Sequence, residues 1–282
     1  MKSKIIISIV GASVLLVAGL VFFTGGGEKA PKPEVKIIPK PWIEVVSAKV
    51  LEITAYDETI RELKTGDLLS EGATIKTEIG SSGNIYFPNG SVLRLDADTK
   101  IVLSKSSFEP ENQKLVTRVS LVFGRVWSKV SALLTPDSLW EVKTTNAVAT
   151  VRGTAFGMEY RDKKSKVLVS EHAIQVTMLD VKTGNMMENV STTLTENKLV
   201  EISNLDAEKA SASVEQPSAA AATSFFAVKD MGSADLGDSW VKNNQNSDAV
   251  IDKKVEEIRS QSENSSEIKV QKELNRAIYE EK

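Results

Sequence analysis

Between Trp42 and Leu205 apolar and polar residues alternate in short runs with a period of two, and no helical period interrupts them. Over 154–161 the alternation puts Phe156, Met158 and Tyr160 on one side and Gly157, Glu159 and Arg161 on the other. That is the pattern of a strand with one buried face. Similar runs predict strands at Trp42–Val46, Val92–Leu95, Ile101–Leu103, Lys114–Val122, Arg125–Val130 and Leu139–Lys143. Thr154–Tyr160 with Lys166–Val169, then Ile174–Leu179, read as hairpins, and Val190–Leu194 with Leu199–Ile202 reads as a last pair turning at Glu196-Asn197. Asn89-Gly90 stands between two apolar runs, which is the strongest local hairpin signal. The polar segments Ser104–Gln113 and Ser131–Ser138 contain Pro110 and Pro136 and read as surface loops. Short strands at this even spacing predict an all-β sandwich or β-roll of mostly antiparallel strands.

The flanks follow other patterns. An unbroken apolar run, Ile5–Phe23, follows Met1–Lys4, a stub with two lysines. The run has about the length that crosses a bilayer as a helix, and the lysines favour a cytoplasmic N-terminus. A cleaved signal peptide or a buried helix are the other readings, although no A-x-A-like site follows the run. Residues 24–41 carry Gly25–Gly27 and then Pro31, Pro33, Pro39 and Pro41, which suits a semi-rigid stalk. The β domain is expected over 42–206, and an Ala/Ser-rich linker over 207–224. A charged, partly helical or disordered C-terminal region is expected over 225–282. Within it Phe225, Phe226, Val228, Met231 and Trp240 form a small apolar island. Ile251, Val255 and Ile258, then Val270, Leu274 and Ile278, keep helical spacing.

Composition narrows the chemistry. The chain has no cysteine, which removes disulfides, thiolate catalysis, zinc–thiolate sites and lipid attachment at an N-terminal Cys. A net charge of −3, spread along the chain, leaves no footprint for nucleic acid. His172 is the single histidine, so no Ser-His-Asp arrangement is credible, and it reads as a turn residue at a position with φ > 0. Asp96 and Asp98 beside Arg94 lack the glycine and closing Glu of a calcium loop and read as a solvated strand end. Trp127 and Trp140 read as core residues, while Trp42 and Trp240 read as aromatics docked onto the β domain. Arg152 is expected to hold a carboxylate or backbone carbonyls, and Asp67 to make an Asx-turn. Gly153 fits a site with φ > 0 or a close backbone approach. Catalytic, cofactor-binding and metal-binding residues are none, and no cofactor is implied.

Five blocks in order carry a resemblance: "LKTGDLL…GATIKT", "IYFPNGSVLRLDADTKIVL", "VSLVFGRVWSKV", "WEVKTTNAVATVRGTAFGMEY" and "KVLVSEHAIQV". Together, over about 60–205, they resemble a FecR-type domain, the family named for the ferric-citrate regulator. The structural signature lies in Gly66, Asp67, Asn89, Gly90, Gly124, Arg152, Gly153 and Thr154. Glu171-His172 departs from the family's usual Glu-Gly. The resemblance implies a non-enzymatic, extracytoplasmic β module that binds a protein or another envelope component and is held to the cell membrane by a single span. FecR-type regulators carry an anti-sigma segment ahead of that span, and Met1–Lys4 is too short to be one. A binding or scaffold protein is therefore the leading expectation, and a signalling component that relays to a separate partner is the other.

Overall fold

The computed structural model describes residues 40–54, 59–213, 225–260 and 273. The expected anchor, most of the stalk, most of the linker and the helical pattern at Val270, Leu274 and Ile278 lie outside them. Among the described residues no helix is long and apolar enough to cross a membrane.

The β expectation holds, as two sheets that share one strand. Sheet A runs in the order β1 (Trp42–Ser47), β5 (Ser82–Tyr86), β6 (Val92–Leu95), β8 (Lys114–Val130), β11 (Thr154–Arg161), β12 (Lys164–Val169), β15 (Lys198–Ser203) and β16 (Ala227–Asp230). Sheet B runs β3 (Ile60–Glu62), β2 (Val50–Ile53), β4 (Thr74–Thr77), β7 (Thr99–Glu109), β8, β9 (Leu139–Lys143), β10 (Ala147–Val151), β13 (Ala173–Leu179) and β14 (Met186–Thr195). Among the described strands only the β8–β9 pair is parallel. The sheets close over one core, to which Ile43, Ile85, Phe156 and Val200 contribute from sheet A and Ile75, Leu103, Val142 and Val176 from sheet B.

The shared strand β8 replaces the two strands expected at Lys114–Val122 and Arg125–Val130. Its first half pairs with β7 and β9, its second with β6 and β11. Leu115, Val119 and Leu121 face the core in the first half, whereas Val126 and Val130 do so in the second. The change from odd to even positions comes from a bulge, since Lys100 pairs Phe123 and Ile101 pairs Leu121, which leaves Val122 over. Gly124 follows at φ +96 and turns the strand out of one sheet and into the other.

The chain changes sheet at corners, and many corners hold a residue with positive φ. Ala48 stands between β1 and β2, Asp98 between β6 and β7, Gly153 between β10 and β11, His172 between β12 and β13, and Asn197 between β14 and β15. Two expected hairpins are therefore corners. β12 pairs with β11 and β15 while β13 pairs with β10 and β14, and β14 and β15 belong to opposite sheets. The expected loop Ser104–Gln113 is largely strand, because β7 extends to Glu109 and pairs along its polar end with β8. Asp96-Ala97-Asp98 is a tight corner, with Asp98 at φ +50, and not an extended segment with both carboxylates on one face.

Helix α1 (Asn204–Ser213) occupies the start of the expected linker. Ser203 and Asp206 cap it reciprocally, as Asp206 Oδ2 accepts from the Ser203 N–H at 2.9 Å and Ser203 Oγ accepts from the Asp206 N–H at 3.1 Å. Residues 225–260 continue the fold. Phe226 enters the core, β16 extends sheet A, and α2 (Ser233–Gly237) and α3 (Ser239–Ser260) follow.

Gly153 sits at φ +139, and a Cβ there would lie 3.1 Å from the Ala132 Cα. Gly153→Val is expected to cost about 2–4 kcal/mol. His172, exposed and at φ 56, already occupies a conformation suited to glycine. His172→Gly should be neutral or mildly stabilising. Urea melts of the chain from residue 38 onward check both; similar losses for the two would contradict the corner geometry.

Candidate docking face on the outer side of sheet A

Sheet A is covered by the core on its inner side and, over β8, β11, β12 and β15, by the C-terminal segment on its outer side. Successive residues of a strand face opposite ways, so Val126, Ser128 and Val130 of β8 turn inward while Arg125, Trp127 and Lys129 turn outward. A ladder of paired residues crosses the outer face from β5 to β15: Asn84, Arg94, Trp127, Gly157, Leu168 and Leu199. Trp127, Ala155, Leu168 and Leu199 form a second apolar cluster with Met231, Trp240 and Val241, which the C-terminal segment brings down onto them.

Trp240 is the anchor. Its ring meets Trp127 edge to face at 5.4 Å between centroids, and the Arg125 guanidinium lies 4.7 Å over it. Gly157 makes the room, because a Cβ there would fall 2.6 Å from Trp240 Cη2. This explains a glycine in the middle of β11, where it weakens a strand and otherwise gains nothing.

Ion pairs make up most of the polar contact, beside a hydrogen bond from Gln245 Nε2 to Ser170 Oγ at 3.1 Å. Asp248 is 1% exposed, and both its oxygens are engaged. Arg94 donates to Oδ1 at 2.6 Å and the Trp127 indole N–H donates to Oδ2 at 2.7 Å. One turn on, Asp252 pairs with Lys129 at 2.7 Å, and Lys129 also binds Glu171 at 2.7 Å. Asp238 accepts from the Trp240 N–H at 2.7 Å as the N-cap of α3, and takes an Arg125 N–H at 3.1 Å. Arg125 also donates to Asp96 at 2.5 Å, so the acid read as a solvated strand end belongs to this ion-pair network.

Burial pushes the Asp248 carboxyl above the ordinary range, against the pull of Arg94 and Trp127. Burial also opposes the charge on Lys129, but Asp252 and Glu171 outweigh it, and its pKa stands above the usual 10.5. The signs matter for docking. A raised carboxyl contributes stability below its unfolded pKa and loses it as pH rises through the folded value, so titrating Asp248 with acid does not release α3. A raised lysine contributes below its unfolded pKa and loses that as pH rises through the folded value. We therefore expect α3 to stay docked between about pH 5 and pH 9 and to loosen in stronger alkali. Tryptophan emission against pH checks this; a red shift on acidification from pH 7 to about pH 5 would contradict it.

Beside α3 the outer face of β5 and β6 stays open, as a cleft of about 720 Å³. Asn84, Tyr86 and Arg94 line it from the sheet, and Asn243, Ser247 and Val250 from the helix. Tyr86 stacks on Trp42 at 4.5 Å and donates to Glu44 at 2.7 Å. Burial and that hydrogen bond push its hydroxyl up to about 12.

The signature residues are spread through the fold and do not form one site. Gly66 at φ +95 and Asp67 pair with Ile43 of β1 through the backbone, and the Asp67 carboxylate accepts from the Lys64 N–H and Arg61. Asn89 Oδ1 accepts from the Ser91 N–H at 3.1 Å beside Gly90. Gly124 marks the bend of β8. Arg152 donates to the Pro136 carbonyl at 2.7 Å. Next to Gly153, Thr154 donates to the Glu171 carbonyl, which links that corner to the residue that holds Lys129. Trp140 lies in the core against Phe87, and Trp127, also fully buried, lies on the opposite face of its sheet. Among the described residues no group of three or more His, Cys, Asp and Glu side chains could hold a metal ion.

Sequence reading missed Asp248, Asp252 and Lys129 as interacting residues, and also Asn146. The Asn146 side chain is fully buried, donates to the Ile202 carbonyl at 3.0 Å and to Asn204 Oδ1 at 2.9 Å, and ties the β9–β10 turn to the end of β15. The spacing of Asp248 and Asp252, one helical turn apart, was the available signal for the ionic stripe.

No curated protein matches the chain. Two crystal structures of a candidate anti-sigma factor from Parabacteroides distasonis, at 1.65 and 2.50 Å, are similar to it. They are 19% and 20% identical, with TM-scores of 0.36 and 0.35. Each alignment covers 46% of this chain and 55% of the other, so this chain spans about half the length of the structures it matches. A family described as FecR protein matches residues 73–175, from the residue before β4 into β13, and α3 lies outside the match. Residues 73–175, which include the bent strand shared by the two sheets, therefore carry a FecR-type domain.

Proposed function

We propose that the chain is a regulatory component that acts by binding another protein, with no catalytic step of its own. The observation that carries this reading is the outer face of sheet A. It is a ridge of Arg94, Trp127 and Lys129 with a notch at Gly157, and it receives a helix through charge and one aromatic anchor. Such a face recognises protein. FecR proteins are a regulatory, non-enzymatic kind, which favours relay to a partner over a passive scaffold. In this reading Ile5–Phe23 holds the chain in the cell membrane and the β domain works outside the cytoplasm.

The test is crosslinking in the cells that make the protein, with a photoreactive residue at exposed Val46 or Val250 beside the cleft. The reading expects a discrete protein adduct that is lost with Lys129→Glu, and retention of the chain in carbonate-washed membranes. Absence of a protein adduct at both positions would overturn protein binding. Transcript levels after deletion of the gene separate the two roles: a regulatory component alters a defined set, and a scaffold alters none.

A further inference from the structure

We propose that the outer face of sheet A is a receptor for amphipathic helices with an acidic docking face, and that α3 is its resident, exchangeable occupant. The partner it fits is a helix with an aromatic anchor and, two and three turns further on, a pair of aspartates one turn apart. Trp240, Asp248 and Asp252 have this arrangement, and they lie on one face of α3 together with Asn244.

Three observations separate this contact from a permanent one. Among the described side chains of α3 only Trp240 and Val241 are buried apolar residues, and its buried or half-buried acids are held by ion pairs. Interfaces of this polar kind are typical of segments that associate reversibly. The open cleft of about 720 Å³ runs along one flank of α3 and leaves that flank without cover. The receptor side, by contrast, is fixed. Arg94 and Trp127 are paired residues on adjacent strands, and Lys129 is braced by Glu171. A fixed basic and aromatic face opposite a detachable helix that presents two aspartates to it is the helix-in-groove mode of recognition, with charge setting the register. Lys242 and Lys253 point away from the sheet and take no part in it.

The proposal rests on the protein-binding reading, and it is tested on the face alone. A fluorescent peptide of residues 238–257 is titrated onto the full chain, as wild type, as Trp240→Ala/Asp248→Ala, and as Asp252→Asn. Asp252 has a side chain 53% exposed, so its replacement leaves the fold intact. The peptide should bind the double variant at least about tenfold more tightly than wild type, with Asp252→Asn between them. Binding should weaken with salt and disappear with Lys129→Glu or when the peptide carries Asn for both aspartates. Equal binding by wild type and Asp252→Asn, or binding indifferent to Lys129→Glu, would overturn the proposal. So would a dimer that forms by exchange of α3 between copies, since the occupant would then be a second copy of this chain. Failure here leaves the crosslinking test of protein binding intact, and failure there with peptide binding retained would reject the functional reading alone.

Discussion

Gly124→Ala should unfold the domain or come close to it. At φ +96 an alanine is strained, and the methyl would collide with Thr99 Oγ1 and lie 2.5 Å from Thr99 Cα and 2.7 Å from the Asp98 carbonyl. Two of these atoms are backbone and cannot swing aside. Thr99 is fully buried and its hydroxyl accepts the Arg125 N–H at 3.1 Å, so it cannot yield cheaply. Strain of about 1–3 kcal/mol and overpacking of similar size sum to about 2–6 kcal/mol. Domains hold only about 5–15 kcal/mol in reserve. Gly66→Ala is the control, because Gly66 has nearly the same φ, +95, with nothing within 4 Å of the added methyl. It should lose about 1 kcal/mol. Equal losses in urea melts of the chain from residue 38 would mean that the bend of β8 is not pinned where the two sheets meet.

Asp248→Ala should act differently, by releasing α3 while the two sheets stay folded. It removes the partner of Arg94, whose side chain is 11% exposed, and the acceptor of the Trp127 indole. Breaking a buried pair from one side costs about 3–5 kcal/mol. The loss is capped, however, by the free energy with which α3 docks, because the helix can leave without taking the core apart. The expected signature is a red shift of tryptophan emission, as Trp127 loses its cover, with far-UV β signal retained. Asp248→Asn should cost less. It keeps an acceptor for Trp127 and removes a charge that burial already disfavours. A cooperative loss of β structure on Asp248→Ala would show that α3 is part of the core and not a docked element.

The β class, the Asn89-Gly90 hairpin and the corner at Gly153 were legible because each has a local cause. Alternation reports one buried face, and φ > 0 selects glycine or asparagine. The capping box at Ser203 and Asp206 was equally local, and the Ala/Ser-rich composition after it masked the signal. Three features were not local. A glycine with positive φ usually ends a strand, and only the ladders on either side of Gly124 reveal that β8 continues into a second sheet. The corners at His172 and Asn197 look like hairpin turns from within, since the strands that pair across them come from elsewhere in the chain. The docking stripe of α3 contains Asn244 and Asp248, so apolar spacing marked only the later Ile251, Val255 and Ile258. Buried charge leaves no hydrophobic period to read.

Native-state hydrogen exchange on the full chain tests the central claim most directly, namely that a rigid two-sheet β domain holds a detachable helix on its outer face. Amides of α3 from Val241 to Asp252 should be protected, yet open at least about a hundredfold more readily than those of β8, and high salt or Asp248→Ala should remove their protection while β8 is unchanged. If α3 and β8 instead open together, with the same rate and the same indifference to salt, the helix is an integral part of the fold and the account of an exchangeable occupant is wrong.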